Sequence, residues 1–349
     1  MMQGAVQKII DGKELSQEEI AGCVREMAEG RATQAQMAGF LVAFRQRGET
    51  PGEIAAFAST LRGYSTRIHP RVPGRLLDTC GTGGDGKMSF NVSTISAFVA
   101  CGAGAFVAKH GNRAVTSACG SADLMERLGY KLDVPPGYVE RAIEEVGIGF
   151  LFAPLFHPAM KHVAPVRKGL GVRTIFNLMG PLINPAGANA QVVGVYSEDL
   201  VAKIAEVLRL LGTEEALVVH GHEGIDEISV TGKTRVSWLR RGGVEALDLD
   251  PEDFGVARIS GDCLVGGPDQ AAEVALRILE GGREEKGTTE MVVANSGAAL
   301  VVCGLASDFR DGAEKAKESL SSGAAIEKLR ALLKVSGGDI SRMEVHAKG

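Results

Sequence analysis

Three polar start signals, each followed by apolar residues at helical spacing, open the chain. Ser16 with Glu19, Thr33 with Gln36 and Thr50 with Glu53 have capping-box separation, and Pro51 stands at a first helical position. Behind these caps, Ile20, Val24 and Met27, then Met37, Phe40, Leu41 and Phe44, then Ile54, Phe57 and Leu61 recur every three or four residues. The pattern predicts three short helices that carry little chemistry. Their apolar stripes predict a core or a face covered by another subunit, and a small all-helical unit of this kind suits dimerisation.

From Arg75 onward the period changes. Strand-like apolar runs at Arg75–Thr79, Ala105–Ala108, Gln191–Tyr196 and Glu215–His220 alternate with helix-like stretches at Val92–Cys101, Ala122–Leu128, Tyr138–Val146 and Leu200–Leu211. That alternation predicts an α/β domain with a mainly parallel central sheet. Gly102 and Gly129 stand where helix C-caps are expected. Between Pro154 and Pro185 the pattern lapses into helices broken by Pro and Gly, which predicts a hinge or an excursion back to the helical unit. Beyond Gly221 a hairpin is expected around Arg235–Leu239, with helices at Pro268–Leu279, Thr289–Cys303 and from Phe309 onward. The expected division is a helical subdomain of residues 1–72, completed by about 158–190, and an α/β domain of residues 73–157 and 191–349.

Composition narrows the function classes. The 349 residues exceed what one hydrophobic core usually serves. With 38 basic against 43 acidic residues and no basic block, nucleic acid is not expected as a partner. No apolar run approaches membrane-spanning length and the N-terminus lacks a signal-peptide core, so a cytoplasmic protein without membrane association is expected. The six cysteines are scattered without a Cys-x-x-Cys pair, which predicts reduced, largely buried thiols rather than a metal cluster or disulfides.

The chemistry concentrates where strands end. The run Leu76-Leu77-Asp78-Thr79-Cys80 stops at Gly81-Thr82-Gly83-Gly84-Asp85-Gly86, and Asn91, Ser93 and Thr94 then open an apolar helix. Glycines let backbone N–H groups approach an anion, and a helix N-terminus adds donors and a positive dipole end. The stretch therefore predicts a phosphate cradle, although it is neither a P-loop nor a dinucleotide fingerprint. Asp85 would repel phosphate unless a cation or a ligand hydroxyl lies between.

A second strand runs into Lys109-His110-Gly111-Asn112-Arg113, followed by Thr116, Ser117 and Ser121, the last an expected N-cap. In an open α/β sheet both loops belong at the carboxyl rim, and their donors suit a pyrophosphate-like polyanion. A third strand ends near Asp226-Glu227, hard oxygen ligands suited to Mg²⁺ held partly by substrate phosphates. His220 and His222 lack a third nitrogen or sulfur ligand, and a strand-end role fits them better than a transition metal. Arg167 could fork onto a carboxylate if its segment returns to the rim.

Together these stretches resemble the anthranilate phosphoribosyltransferases over nearly the whole chain. The resemblance rests on Gly81 to Asp85, Asn91 to Thr94, Lys109 to Arg113, Gly120 to Asp123, His157 to Met160, Asn177 to Leu182 and Gly224 to Glu227. It implies transfer of phosphoribose from phosphoribosyl pyrophosphate to the amine of anthranilate, with Mg²⁺, by a homodimer joined through its helical part. It also implies a nucleoside phosphorylase-like fold. Carried over by position, Gly81, Gly84, Asp85, Ser89, Asn91, Val92, Ser93, Thr94, Lys109, His110, Gly111, Asn112, Arg113, Ala114, Val115, Thr116, Ser117 and Ser121 would hold the donor. Lys109 would stabilise the leaving group; Gly81, Asn112 and Arg167 would meet anthranilate; Ser93, Asp226 and Glu227 would serve the metal. No general acid or base is implied. Ser89 replaces the usual Thr and keeps its hydroxyl, while Cys119 stands where a polar residue is commoner. A pyrimidine nucleoside phosphorylase would carry Lys-x-Ser-Gly-Arg where Lys109-His110-Gly111-Asn112-Arg113 stands, and a nucleic-acid-binding relative would show basic clusters and a degraded donor loop.

Overall fold

The structure is a computed structural model that describes residues 1–83, 90–114, 119–260, 270–282 and 286–346. Four helices open it: α1 (Met2–Ile10), α2 (Gln17–Ala28), α3 (Gln34–Arg47) and α4 (Pro51–Arg62). The last three begin at Ser16, Thr33 and Thr50, with both reciprocal capping-box bonds made at each. α1 has no side-chain cap, so no polar start signal marks it; its buried face is Met2, Ala5 and Ile9.

Glu53 does more than close a box. Its Oε1 accepts from the Leu15 amide at 2.9 Å, its Oε2 accepts from the Thr50 amide at 3.0 Å and pairs with Arg47, and the residue is buried. Thr50→Ala should cost ~1 kcal/mol as a lost cap. Glu53→Ala should cost ~3 kcal/mol, because it strands a buried amide and a guanidinium. Urea unfolding of the two variants checks that order; equal losses would reduce Glu53 to a cap.

The α/β part begins with β1 (Leu76–Gly81), α5 (Val92–Gly102), β2 (Phe106–Gly111), α6 (Ser121–Arg127), α7 (Pro136–Val146) and β3 (Ile148–Phe152). The strand β3 is not separable in sequence from the helix before it. Only Gly147, at φ 98°, divides them, and a five-residue apolar run has no decisive period. Two expected caps also shift. Gly120 takes the N-cap of α6 and Ser121 is its first helical residue. Gly102 is the last residue of α5, pressed against Ser319 and the Ala325 backbone, while Gly104, at φ 102°, makes the turn.

The excursion comprises α8 (Ala153–Phe156), a 3-10 turn at Pro158–His162, α9 (Ala164–Leu170) and α10 (Phe176–Leu182). Val163, Val166, Phe176 and Leu178 join the apolar cluster of the N-terminal helices, with Phe176 edge-on to Phe57 at 5.3 Å. Arg62 Nε donates to the Leu182 carbonyl at 2.7 Å, so the return to the helical unit is hydrogen-bonded as well as packed.

The chain then forms β4 (Ala190–Gly194), α11 (Asp199–Leu210), β5 (Glu215–Gly221) and a hairpin of β6 (Thr234–Arg240) and β7 (Gly243–Leu249). It ends in α12 (Ala271–Leu279), α13 (Lys286–Val302), α14 (Phe309–Ser321), α15 (Ala324–Ser336) and α16 (Ser341–His346). The sheet order is β3-β2-β1-β4-β5-β6-β7; β1 to β5 pair in parallel, and β6 and β7 are antiparallel. No described helix is long and apolar enough to cross a membrane.

Strand residues alternate between two cores. Leu77, Val192, Leu217 and Val219 join α5, α13 and α15 on one face, while Cys80, Val193 and Val218 join α11 and the helical unit on the other. The connection leaving β1 thus crosses on one face and the connection leaving β4 on the opposite face. The neighbours β1 and β4 therefore form a topological switch point, and a crevice opens beyond their carboxyl ends.

Candidate active site

Everything at the crevice starts from the absence of side chains on two strand ends. A Cβ at Gly81 would lie 2.5 Å from Asp226 Oδ2, and one at Gly194 would overlap the Asp226 carbonyl oxygen. The loop after β5 can press into the gap between β1 and β4 only because both positions are glycine. Gly83, at φ 64°, donates its N–H to Asp226 Oδ2 at 2.8 Å. Thr82 extends the strand pairing, donating its N–H to the Gly194 carbonyl at 2.9 Å and accepting the Tyr196 N–H at 3.0 Å. The motifs single out Gly81 and the carboxylates but not Gly194, whose role exists only across the strand gap.

The N-terminus of α5 has no side-chain cap at the crevice. Asn91 is in the left-handed region at φ 61° and ψ 45°, and Asn91 Nδ2 donates to the Cys119 carbonyl at 3.2 Å. Asparagine is among the few non-glycine residues that adopt this conformation, because its short polar side chain can hydrogen-bond nearby. Thr94 Oγ1 is buried with no hydrogen-bond partner among the described residues. Ser93 is tied back to β1, its carbonyl accepting Thr79 Oγ1 at 2.8 Å. Ser93, Glu227, Thr79, Ser96 and Asn295 line a pocket of 10 Å³, about one water in size.

The second loop divides its residues between ligand and scaffold. Lys109 is buried on β2. His110 is also buried: Nδ1 donates to the Gly180 carbonyl at 3.0 Å, and Nε2 then accepts from His157 Nε2 at 3.2 Å. The Arg113 guanidinium goes to Asp123 at 3.0 Å and Glu126 at 2.7 Å on α6. The imidazole of His110 and the guanidinium of Arg113 are therefore engaged by the scaffold, and so are their backbone amides, which donate to Asp78 Oδ1 at 3.3 Å and Asn112 Oδ1 at 2.8 Å. Gly111 lies close to the Ser121 hydroxyl, which accepts from the Asn112 amide at 3.2 Å. Asp123 Oδ2 accepts from the Ala114 and Gly120 amides, each at 2.9 Å, so this loop is held by α6. Gly84, Asp85, Ser89, Val115, Thr116 and Ser117 lie outside the described residues.

Burial holds His157 at about 3, with His110 acting in the same direction, and burial lowers His110 against the pull of Asp78. A neutral His157 contributes no pH dependence above pH 6.5. Below that value the unfolded chain takes a proton that the folded chain refuses, so stability falls from about pH 6.5 toward 3, at ~1.4 kcal/mol per pH unit. His157→Gln should flatten the stability profile between pH 6 and pH 4.5 by about that slope. Equal slopes in urea titrations would mean that His157 titrates normally.

Asp78 ties this region to the excursion. It accepts from the His110 amide at 3.3 Å and from Asn184 Nδ2 at 2.8 Å, all three residues being buried. Arg167, on α9, is half-buried with its guanidinium 5.6 Å from the Phe176 ring centre. Burial alone pulls it below the usual guanidinium range, and no carboxylate among the described residues pairs with it.

His220 Nδ1 donates to the Val195 carbonyl at 2.7 Å and His222 lies 3.6 Å from Asp248, the strand-end roles expected of them. Among the described residues no group of three His, Cys, Asp or Glu side chains could hold a metal. Asp226 and Glu227 are both buried, and Glu227 lines the pocket at Ser93. A pair of hard carboxylates and a hydroxyl fits Mg²⁺ completed by ligand oxygens, and does not fit zinc. The described cysteines are free, and burial raises the thiols of Cys23, Cys80, Cys101 and Cys303. Cys263 lies outside the described residues.

Residues 73–326 match the model of the glycosyl transferase family α/β domain, and residues 3–65 match that of the same family's helical bundle domain. The chain is 52% identical over 335 residues to an anthranilate phosphoribosyltransferase of Anaeromyxobacter sp. (strain K), covering 95% of this chain and 98% of the relative. It is 48% identical to that of Desulfatibacillum aliphaticivorans, covering 96% and 98%. Among solved structures, the anthranilate phosphoribosyltransferase of Thermus thermophilus superposes with a TM-score of 0.89 at 45% identity, covering 95% of this chain and 99% of the other. The Saccharomyces cerevisiae enzyme in complex with PRPP and Mg superposes at 0.87 with 28% identity, covering 96% and 98%.

Proposed function

The chain belongs to the anthranilate phosphoribosyltransferase family, and from that premise we propose how its crevice carries out the transfer. The reaction moves the phosphoribosyl group of phosphoribosyl pyrophosphate to the amine of anthranilate, releasing pyrophosphate, in tryptophan biosynthesis. The observation that carries the residue assignment is Asp226, whose main chain and carboxylate fill the β1–β4 gap beside an uncapped helix N-terminus.

The α5 amides, the Thr94 hydroxyl and the Gly81–Gly83 backbone bind donor phosphate and ribose oxygens. Lys109 meets the pyrophosphate, with Ser121 holding the loop after β2 through the Asn112 amide. Asp226, Glu227 and Ser93 hold Mg²⁺, which supplies charge neutralisation to the departing pyrophosphate when bound. Positive charge grows on the ribose ring as that bond breaks, so positioning and electrostatics carry the rate. The arylamine is neutral near pH 7, so no side chain needs to act as a strong base. Arg167 forks onto the anthranilate carboxylate, and Asn112 and Gly81 complete the acceptor site.

Support for the acceptor side comes from the half-buried Arg167, which has no carboxylate partner among the described residues, and from a 4-fluoroanthranilate complex of the yeast relative. We also propose that the enzyme is cytoplasmic and dimerises through the helical unit of residues 1–72 with about 158–190, where Ile10 and Val42 stay exposed. Loss of anthranilate fluorescence on adding phosphoribosyl pyrophosphate and Mg²⁺ tests the activity. A signal that stays flat with folded protein would overturn it.

A further inference from the structure

A buried amide stands in the apolar stretch of α13 that reaches the pocket. In α13, Val292, Val293, Ala294, Ala298 and Ala299 are buried in the core, and Asn295 is buried among them. Burying an amide there costs desolvation and helix propensity unless its groups are used. All of them are. Oδ1 accepts the Ile228 N–H at 3.2 Å; Nδ2 donates to the Ile228 carbonyl at 3.3 Å and to the Met291 carbonyl, one turn back, at 2.9 Å. The side chain pairs with Ile228 as a neighbouring strand would, and the third bond fixes the amide plane to α13.

Ile228 is the residue after Asp226-Glu227, so this pairing sets where the two carboxylates stand. The same helix reaches the other half of the site, because Ser96 Oγ, one turn after Ser93 on α5, donates to the Val292 carbonyl at 3.4 Å. Asn295, Ser93 and Glu227 line one pocket. We propose that Asn295 is a positioning residue for the divalent cation: it holds the Asp226–Glu227 loop from α13, while Gly81 and Gly194 receive that loop from β1 and β4. The inference rests on the reading of Asp226 and Glu227 as metal-holding residues.

The test follows the thermal midpoint of the intact enzyme at fixed phosphoribosyl pyrophosphate while Mg²⁺ is titrated, alongside steady-state rates. Asn295→Ala should raise the Mg²⁺ concentration giving half of the midpoint rise by ~10-fold or more, as loss of an outer partner of metal ligands does. At saturating Mg²⁺ kcat should recover to within a few-fold. Asn295→Asp keeps the acceptor for Ile228 and loses both donations, so it should shift the half-point in the same direction and serves if the alanine variant does not fold. A half-point unchanged in the folded variant, with only the starting midpoint lowered, would reduce Asn295 to packing and overturn the inference. Glu227→Gln separates the premise: if its half-point is also unmoved, the metal reading fails; if it moves and the Asn295 variants do not, only the positioning role fails.

Discussion

Joint replacement of Asp226 by Asn and Glu227 by Gln is expected to lower Mg²⁺-supported turnover by ~10³-fold, from two ionic ligand contacts at roughly 2 kcal/mol each. The substitutions keep shape and an acceptor oxygen, so the Gly83 N–H retains its partner and the loop retains its seat between Gly81 and Gly194. What disappears is negative charge in a buried position, where a hard cation is held by charge and oxygen number. The fluorescence assay across a Mg²⁺ titration reads the effect, with circular dichroism confirming the fold. Near-normal rates in the double variant would refute the metal role of this pair.

Arg167→Ala is expected to raise the anthranilate KM by ~10–100-fold, the equivalent of a charge-assisted contact of about 1.5–3 kcal/mol. The KM for phosphoribosyl pyrophosphate should stay within a few-fold. Arg167 sits over Phe176, in the cluster that joins the excursion to the helical unit, so some packing is lost as well. Arg167→Lys keeps the charge without the planar fork and should recover only part of the affinity. Unchanged anthranilate dependence in the alanine variant would sink the assignment.

Legibility in the sequence followed locality. Ser16, Thr33 and Thr50 announced three helices because a capping box lies within four residues of chain, and those boxes form as read. The alternation after Arg75 announced a parallel sheet for the same reason. The uncapped α1 and the short β3 escaped, having respectively no start signal and no decisive period. His110 and Arg113 look like ligand residues in the motif, yet their side chains are engaged by Gly180, His157 and α6, partners far away in sequence or on another element.

The sequence by itself determined the helical start signals, the mainly parallel α/β class, the glycine-rich turn that ends β1 and the adjacent carboxylates Asp226 and Glu227, because each is written in neighbouring residues. Only the tertiary structure decided that β1 and β4 are neighbours with oppositely placed crossovers, that Gly194 makes room for Asp226, and that Asn295 grips Ile228. Those facts depend on strand order and on contacts between residues tens of positions apart, and no local period or spacing encodes which strand lies beside which.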